Sequence, residues 1–371
     1  MRTETGFKYL KIRDLLVEHF RESEYQPETR LPTELELTQY FHVSRTTIRQ
    51  ALAILEKDGV IEKKHGSGTF FVGHKLRHPD VEASKGLIGF VSFFFMDYIY
   101  PDIVSGAEDE LFENGYSLAL ANCKMDREKE LESVVRLLDQ DVKGLVIEPS
   151  RNADMKENHP LLELIYKRNV PVVSTHWGVS DERLSTVSVN DESAGYQATR
   201  YLIERGHRRI GMVFKADVAA GVARYAGYRK AMTEAGLPVD PNALASFTND
   251  DERLDIDQGG VCTRRILAHA SLESRVTGIV YFNDRTAQQG YLAIRESGLT
   301  IPDDISVIGY DNYRTSSMLQ PGLTTFEHPK YELGKWAARL LIHKIERGGQ
   351  TLPMKLFFQP VLVERASVRR L

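Results

Sequence analysis

Two sets of residues in this 371-residue chain have types and spacings that could do chemistry. The first is local. In "VSRTTIRQAL" (43–52), Ser44, Arg45, Thr46, Thr47 and Arg49 fall within six positions, and all can donate hydrogen bonds. Arginine grips a guanine edge in bidentate fashion, and short hydroxyls reach a phosphate or a base. The second set is scattered, and nearly every member follows a short apolar run: Asp97, Tyr98, Glu148, His176, Lys215, Asn283, Asp284 and Asp311, with Arg224 in the helix after Lys215. It mixes carboxylates, amides, cations and aromatics. Sugar hydroxyls need bidentate polar partners of this kind, and pyranose faces stack on rings. Neither set calls for catalysis. A Walker motif, HExxH, G-x-S-x-G and a dinucleotide fingerprint are absent, and no nucleophile has an evident base. The expectation is a binding protein, not an enzyme, with no catalytic residue, cofactor or metal.

The first set needs a rigid carrier. Residues 7–22 place Leu16, Phe20 and their apolar neighbours near one helical face. Thr33, with Glu36 three residues on, predicts a capping box and a second helix to about Phe41. Ser44 predicts the cap of a third helix running to Lys57 and ending at Asp58-Gly59. A charged hairpin follows, with Lys63, Lys64 and His65 at its base and Gly66 and Gly68 at its tip. Helix, tight turn, helix and hairpin make a winged helix-turn-helix, whose second helix enters the major groove. Lys64, His65 and Gly66 are placed for the flanking backbone. A solvated charged helix beside an ordinary hairpin is the plain alternative. Cap, spacing, turn and wing together favour double-stranded DNA.

The stretch "RLPTELELTQYFHVSRTTIRQALAILEKDGVIEKKHGSGTFF" (30–71) resembles the GntR family of bacterial regulators. The resemblance implies DNA contacts by Ser44, Arg45, Thr46, Thr47, Arg49, His65 and Gly66. Leu35 departs from it, standing where many relatives carry a DNA-contacting arginine.

Residues 73–86 read as a tether, with Pro79, charges and small residues. From 87 to 371 the texture changes. Apolar runs such as "LIGFVSFFF", "GLVIEPS", "RIGMVF", "TGIVYFN" and "SVIGYD" alternate with amphipathic helices. That alternation predicts parallel sheets covered on both faces, and its length predicts two lobes. Ligands of such sheets bind outside the carboxyl ends of the strands, where the second set falls. Single members have plainer readings: Asn190-Asp191 and Asp284 as helix caps, Glu148 as a loop carboxylate, His176 as a turn residue. Independent caps need not converge on one set of strand ends.

"YLIERGHRRIGMV", "GVARYAGYRKAM", "YFNDRTAQQGYLAIRESGLTIPDDISVIGYDN" and "LTTFEHPKYELG" resemble the LacI/GalR effector domain, which shares its fold with periplasmic sugar-binding proteins. That resemblance implies effector contacts at Arg224, Asn283 and Asp311. His176 departs from it, at a place where aspartate is frequent. The pairing of the two domain types, with "DYIYPDIVSGAE" and "FKADVAAGVARYAGY", is similar to the arabinose-repressor family of Gram-positive bacteria. It implies a homodimeric, sugar-responsive repressor released from operator DNA by an effector, L-arabinose before other sugars or sugar-like metabolites. The expected domains are 1–72, a winged helix-turn-helix; 73–86, a linker; and 87–371, a two-lobed periplasmic-binding-protein-like effector and dimerisation domain. The fold class is α/β.

Composition agrees and bounds the rest. The net charge of −4 requires any DNA-binding surface to be local. The longest apolar run, "LIGFVSFFFM", is about half of what a membrane span needs. Cys123 and Cys262 are the only cysteines and lie far apart, which suits a reducing compartment. A cytoplasmic protein with no membrane partner is expected, and a transport binding protein is disfavoured by the charged N-terminus and the DNA-binding front.

Overall fold

The computed structural model describes residues 8–22, 28–57, 59–64, 67–72, 84–92, 98–150, 152–154, 160–175, 182–254, 257–268, 275–348 and 351–371. They fall in two compact units, Met1–Ala83 and Ser84–Leu371.

The first unit is built as its local signals dictate. Helices α1 (Lys8–Glu22), α2 (Glu34–Phe41) and α3 (Arg45–Lys57) precede an antiparallel hairpin of β1 (Ile61–Lys64) and β2 (Gly68–Phe71). Ile12, Leu16 and Phe20 recur every four residues along α1 and meet Leu37, Ile48, Leu52, Leu55 and Phe71 in one small core. The capping box closes as expected: Glu36 N donates to Thr33 Oγ1 at 3.3 Å, and Thr33 N donates to Glu36 Oε2 at 2.7 Å. His42 turns the chain in the left-handed region, at φ 51°. Thr47 N then donates to Ser44 Oγ at 3.2 Å, capping α3. This unit is a winged helix-turn-helix.

The second unit carries two parallel sheets. The first lobe runs through β3 (Gly86–Ser92), α4 (Tyr100–Glu113), β4 (Tyr116–Asn122), α5 (Arg127–Asp139), β5 (Gly144–Glu148), α6 (Pro160–Lys167), β6 (Val172–Thr175) and β7 (Ser185–Val189). The second runs through α7 (Asp191–Glu204), β8 (Ile210–Lys215), α8 (Ala219–Glu234), β9 (Leu244–Phe247), α9 (Asn249–Arg253), α10 (Gln258–Ala268), β10 (Gly278–Tyr281), α11 (Asp284–Glu296), β11 (Ser306–Ile308) and β12 (Thr325–Glu327). Helix α12 (Lys330–Glu346) and strand β13 (Lys355–Phe358) return to the first lobe, and β14 (Val361–Val363) pairs with β12. The sheets have strand orders β13-β7-β6-β5-β3-β4 and β11-β10-β8-β9. The chain therefore crosses between lobes near Asn190, between β12 and α12, and between β13 and β14. This is the two-lobed α/β architecture expected of a LacI-type effector domain.

Two helix pairs approach so closely that only glycine fits between them. A Cβ on Gly195 of α7 would lie 1.9 Å from the Arg224 carbonyl oxygen of α8, and one on Gly227 would lie 2.0 Å from the Glu192 carbonyl oxygen. In the first lobe, a Cβ on Gly334 of α12 would lie 1.8 Å from the Ile103 carbonyl oxygen of α4. Backbone meets backbone in each case, so nothing flexible can yield. Gly195→Ala is expected to force α7 and α8 apart and destabilise the second unit by about 1–3 kcal/mol, the usual cost of overpacking. Urea unfolding of wild type and variant, followed by circular dichroism, measures it.

Candidate functional site

The first unit presents α3 as the sequence predicts. Arg45 and Arg49 lie one turn apart, with side chains 62% exposed each. Both donate from Nε to one oxygen, Glu34 Oε2, at 3.2 and 2.8 Å. Burial pushes the Glu34 carboxyl up, but hydrogen bonds and charges from Arg49 and Arg45 outweigh it and hold the group below its ordinary range. Thr46 is exposed, while Thr47 shares its hydroxyl with Ser44 Oγ at 2.8 Å. At the wing, Lys64 Nζ stands 5.2 Å from the centre of the Phe70 ring, and Lys63 pairs with Glu56 at 2.9 Å. Leu35 is exposed. His65 and Gly66 lie outside the described residues.

The second unit opens a cleft between its lobes at the carboxyl ends of the strands. Glu148 is the last residue of β5 and Lys215 the last of β8; Phe282 and Asn283 follow β10, and Asp311 follows β11. These residues line the cleft with Arg224, Asn152, Glu252 and His328, against apolar walls of Ile99, Tyr100, Val218 and Ala220. Each of its two cations faces a carboxylate. Lys215 is paired with Glu252 of α9. Arg224 bonds Asp191 Oδ1 through Nε at 2.9 Å and through Nη2 at 2.8 Å, and donates from Nη1 to the Phe282 carbonyl at 2.5 Å. The Tyr310 ring lies 3.5 Å from its guanidinium carbon.

Asp311 is the strained member. Its φ of 99° lies in the left-handed region that side chains avoid. Its carboxylate accepts from the Tyr98 hydroxyl, and its carbonyl accepts from Lys330 Nζ at 2.5 Å. Burial pushes its carboxyl up to about 7, against the opposing pull of Arg224 and the Tyr98 hydrogen bond. Strain of this kind persists where the surroundings hold it, often at ligand sites.

Of the scattered residues, the fold gathers Glu148, Lys215, Arg224, Asn283 and Asp311 around the cleft, and Tyr98 joins them through Asp311. Asp284 does not line it. Its carboxylate turns into the second lobe, accepting from Ser316 Oγ and Thr325 Oγ1 at 2.6 Å and from Tyr313 N at 2.8 Å. One residue beyond Asn283, it opens α11, and the helical turn carries it away. Asp97 and His176 lie outside the described residues. Asn190 is the helix cap expected, accepting from Ser193 N at 3.1 Å, but Asp191 is the buried partner of Arg224. Asn152, Glu252, Phe282 and His328 also line the cleft, although no pattern in the sequence singles them out. Glu252 sits in "NDDER", which looks like a solvated helix, and only recognising β9 before it would have placed it at a strand end.

Direct contacts join the two lobes as well. Asn152 Oδ1 accepts from Ala219 N at 2.7 Å. The Arg253 guanidinium of the second lobe donates to the carbonyls of Lys124 and Met125 in the first. Both of those residues have left-handed backbones, φ 51° and 60°, which turn the carbonyls.

Comparison with known proteins follows the same division. Residues 8–71 match the family model "Bacterial regulatory proteins, gntR family", and residues 199–368 match "Periplasmic binding protein-like domain". The chain is similar to the arabinose metabolism transcriptional repressor of Geobacillus stearothermophilus, with 33% identity over 100% of both chains. It is similar to that of Halalkalibacterium halodurans, with 29% identity over 99% of this chain and 97% of the relative. Among solved structures, it is similar to the transcriptional regulator CelR in complex with cellobiose, with 26% identity and a TM-score of 0.66, covering 88% of this chain and 91% of that one. No helix among the described residues is long and apolar enough to cross a membrane.

The Asp311 carboxyl makes stability depend on pH. Its folded value of about 7 exceeds the ordinary aspartate value of about 3.9. Between those values the folded chain holds the proton and the unfolded chain does not, so stability falls as pH rises through that window and levels off above it. Asp284, pushed up to about 6, adds its own slope over the lower part. Asp311→Asn, which tolerates the same backbone, is expected to flatten the Asp311 share. Unfolding free energies of wild type and variant from pH 4.5 to 8 are the measurement, and parallel curves would remove the assignment.

Proposed function

The chain belongs to the family of the arabinose metabolism transcriptional repressors, and from that premise we propose that it binds operator DNA as a homodimer in the cytoplasm and is released by L-arabinose. It is a sugar-responsive transcriptional repressor and not an enzyme. In this reading residues 1–72 dock on DNA, 73–86 tether them, and 87–371 hold the sugar and the dimer contact.

One observation carries the choice of effector class: both cations of the cleft already face a carboxylate. Lys215 is paired with Glu252, and Arg224 with Asp191. Glu148 and Asp311 add further acceptors. A phosphate or carboxylate would have to displace a buried carboxylate, and breaking one side of such a pair is costly. A neutral polyol needs only hydrogen bonds, and carboxylates, amides and arginine supply them in bidentate form. Phe282 offers a face for its C–H bonds. The cellobiose complex of CelR supports a neutral sugar, and the names of the two full-length relatives favour arabinose.

The mechanism follows from the crossings between lobes. A sugar held by Glu148 on one side and by Arg224, Asn283 and Asp311 on the other favours the closed arrangement. Closure turns one lobe against the other. In a dimer that motion alters the separation of two reading helices, whose spacing the DNA repeat fixes. The sugar and the operator then oppose each other by linkage, typically by about 1–3 kcal/mol. The dimer reading draws on exposed apolar side chains along both lobes. Phe112 of α4 and Leu120 of the edge strand β4 lie in the first, and Val261, Leu292 and Met318 in the second.

Two experiments test this. Arg224→Ala would leave Asp191 buried and unpaired, so the informative variants are Glu148→Gln and Asp311→Asn. Operator affinity is measured on a duplex that the wild-type protein selects from a random pool, with and without saturating L-arabinose. Wild type is expected to lose affinity about 5- to 150-fold with the sugar, and both variants to keep operator binding while losing that response. D-glucose, a purine base and a sugar phosphate serve as alternative ligands. A wild type indifferent to L-arabinose overturns the effector assignment. For assembly, sedimentation of the full chain at micromolar concentration should give a dimer, and Phe112→Glu with Leu120→Lys should give monomers that bind the operator weakly. A monomeric wild type would contradict the dimer.

A further inference from the structure

One carboxylate oxygen in the winged helix serves two arginines. Glu34 Oε2 accepts from Arg49 Nε at 2.8 Å and from Arg45 Nε at 3.2 Å. Glu34 opens α2, while the arginines occupy the first turns of α3, so the contact joins two elements. Glu34 is 25% exposed, against 62% for each arginine. The carboxylate thus sits deeper than the groups it holds.

This triad is not needed to hold the fold together. An ion pair this open to water contributes little to stability. Helix α2 has its own anchor in the Thr33–Glu36 capping box, and α3 has the Ser44 cap and a buried face of Ile48, Leu52 and Leu55. The chemistry of the triad points to the bases instead. A guanidinium presents five donors in a planar fork and can grip an acceptor pair along either edge that includes Nη2. With Nε committed to Glu34, the Nη1–Nη2 end is the edge left to meet guanine O6 and N7. Two unrestrained arginines would also cling to any phosphate backbone, because that attraction carries no sequence information. A carboxylate between them lowers the local charge and repels phosphate.

We propose that Glu34 is the specificity-determining positioning residue of the DNA-reading helix: it fixes the Nε edges of Arg45 and Arg49 so that their Nη ends read guanine, and its charge suppresses binding to the backbone alone. The inference rests on the reading of α3 as the base-reading helix. It separates two quantities that are usually confounded, affinity for DNA and preference for one sequence. Loss of Glu34 should raise the first for arbitrary DNA and lower the second.

The test uses the full chain as wild type, Glu34→Gln, Glu34→Asp, Arg45→Ala and Arg49→Ala. Each is titrated against the selected operator and a scrambled duplex of the same composition, at several salt concentrations. Glu34→Gln keeps the shape and removes the charge. Its affinity for the scrambled duplex is expected to rise several-fold, with a salt dependence steeper by about one unit. Its operator-to-scrambled ratio should fall about tenfold or more, the loss of a well-set base contact. Glu34→Asp, which keeps the charge on a shorter arm, should retain the low affinity for scrambled DNA and recover part of the ratio. Reselection from a random pool with Glu34→Gln should return an operator degenerate at its guanine positions. A Glu34→Gln protein with the wild-type ratio and salt slope overturns the proposal. So does a ratio that falls only in step with a lowered melting temperature, since that marks a merely structural role. If Arg45→Ala and Arg49→Ala both leave the ratio unchanged, α3 does not read bases, and the premise falls with the proposal.

Discussion

A guanidinium can stay buried only if its charge and its donors are answered, and Arg224 sets that condition for the whole effector lobe. Its side chain is 7% exposed. Asp191 answers the charge from α7, the Phe282 carbonyl takes a further N–H, and the Tyr310 ring covers one face. Those partners come from the start of α7, the end of β10 and the end of β11. The pairing therefore fixes the carboxyl ends of the sheet relative to the helices. It also depends on how closely α7 and α8 approach, which is why Gly195 and Gly227 lie at their contact. Removing either charge would leave the other stranded in a low dielectric. The cleft is thus organised before any ligand enters it, and the ordering cost of binding is correspondingly small.

Much of this was legible in the sequence, for physical reasons that differ between the two units. Caps and turns are encoded within three or four residues, so Thr33, Glu36 and Ser44 announce the helices of the front unit directly. The strand ends bearing Glu148, Lys215, Asn283 and Asp311 were visible because continuous apolar runs lead to them. Strand β7 was not. Its sequence, "STVSV", looks solvated, yet all five residues are buried. The Ser185 hydroxyl accepts from Lys344 Nζ at 3.3 Å and from Met354 N at 3.2 Å, which makes its burial tolerable. The short strands β9, β12, β13 and β14 escaped as well, since each is three or four residues long and none is set off as an apolar run between turn signals as β10 and β11 are. Pairings across long separations escaped altogether. Nothing local shows that Asp191 meets Arg224 or that Glu252 meets Lys215. Adjacent residues can also part company, as Asn283 and Asp284 do once α11 begins.

The two units solve opposite electrostatic problems with the same device. In the cleft, carboxylates answer buried cations, and what remains is a field of hydrogen-bond partners in which neither cation is left to attract an anion. On α3, a carboxylate answers exposed cations without burying them, and what remains is a pair of oriented forks. In both places a carboxylate limits what a positive charge can attract.

The topology of the first lobe bears on how the chain is made. Its sheet is completed at one edge by β13, and α12 covers it and locks against α4 through Gly334. These pieces lie more than 130 residues beyond β7 in sequence. A ribosome delivers the chain in order, so the strands of this lobe emerge long before their last neighbour exists. The four-stranded sheet of the second lobe draws on one continuous stretch and can pair first, while β14 and the residues that bond β11, Ser367 and Arg369, are still to come. Until residues 330–358 arrive, β7 is an open edge and the partner face of α4 is bare, and such surfaces recruit other chains. The interleaving of two lobes through shared crossings thus leaves the nascent protein a period of vulnerability, in which chaperone capture and aggregation compete for an unfinished sheet.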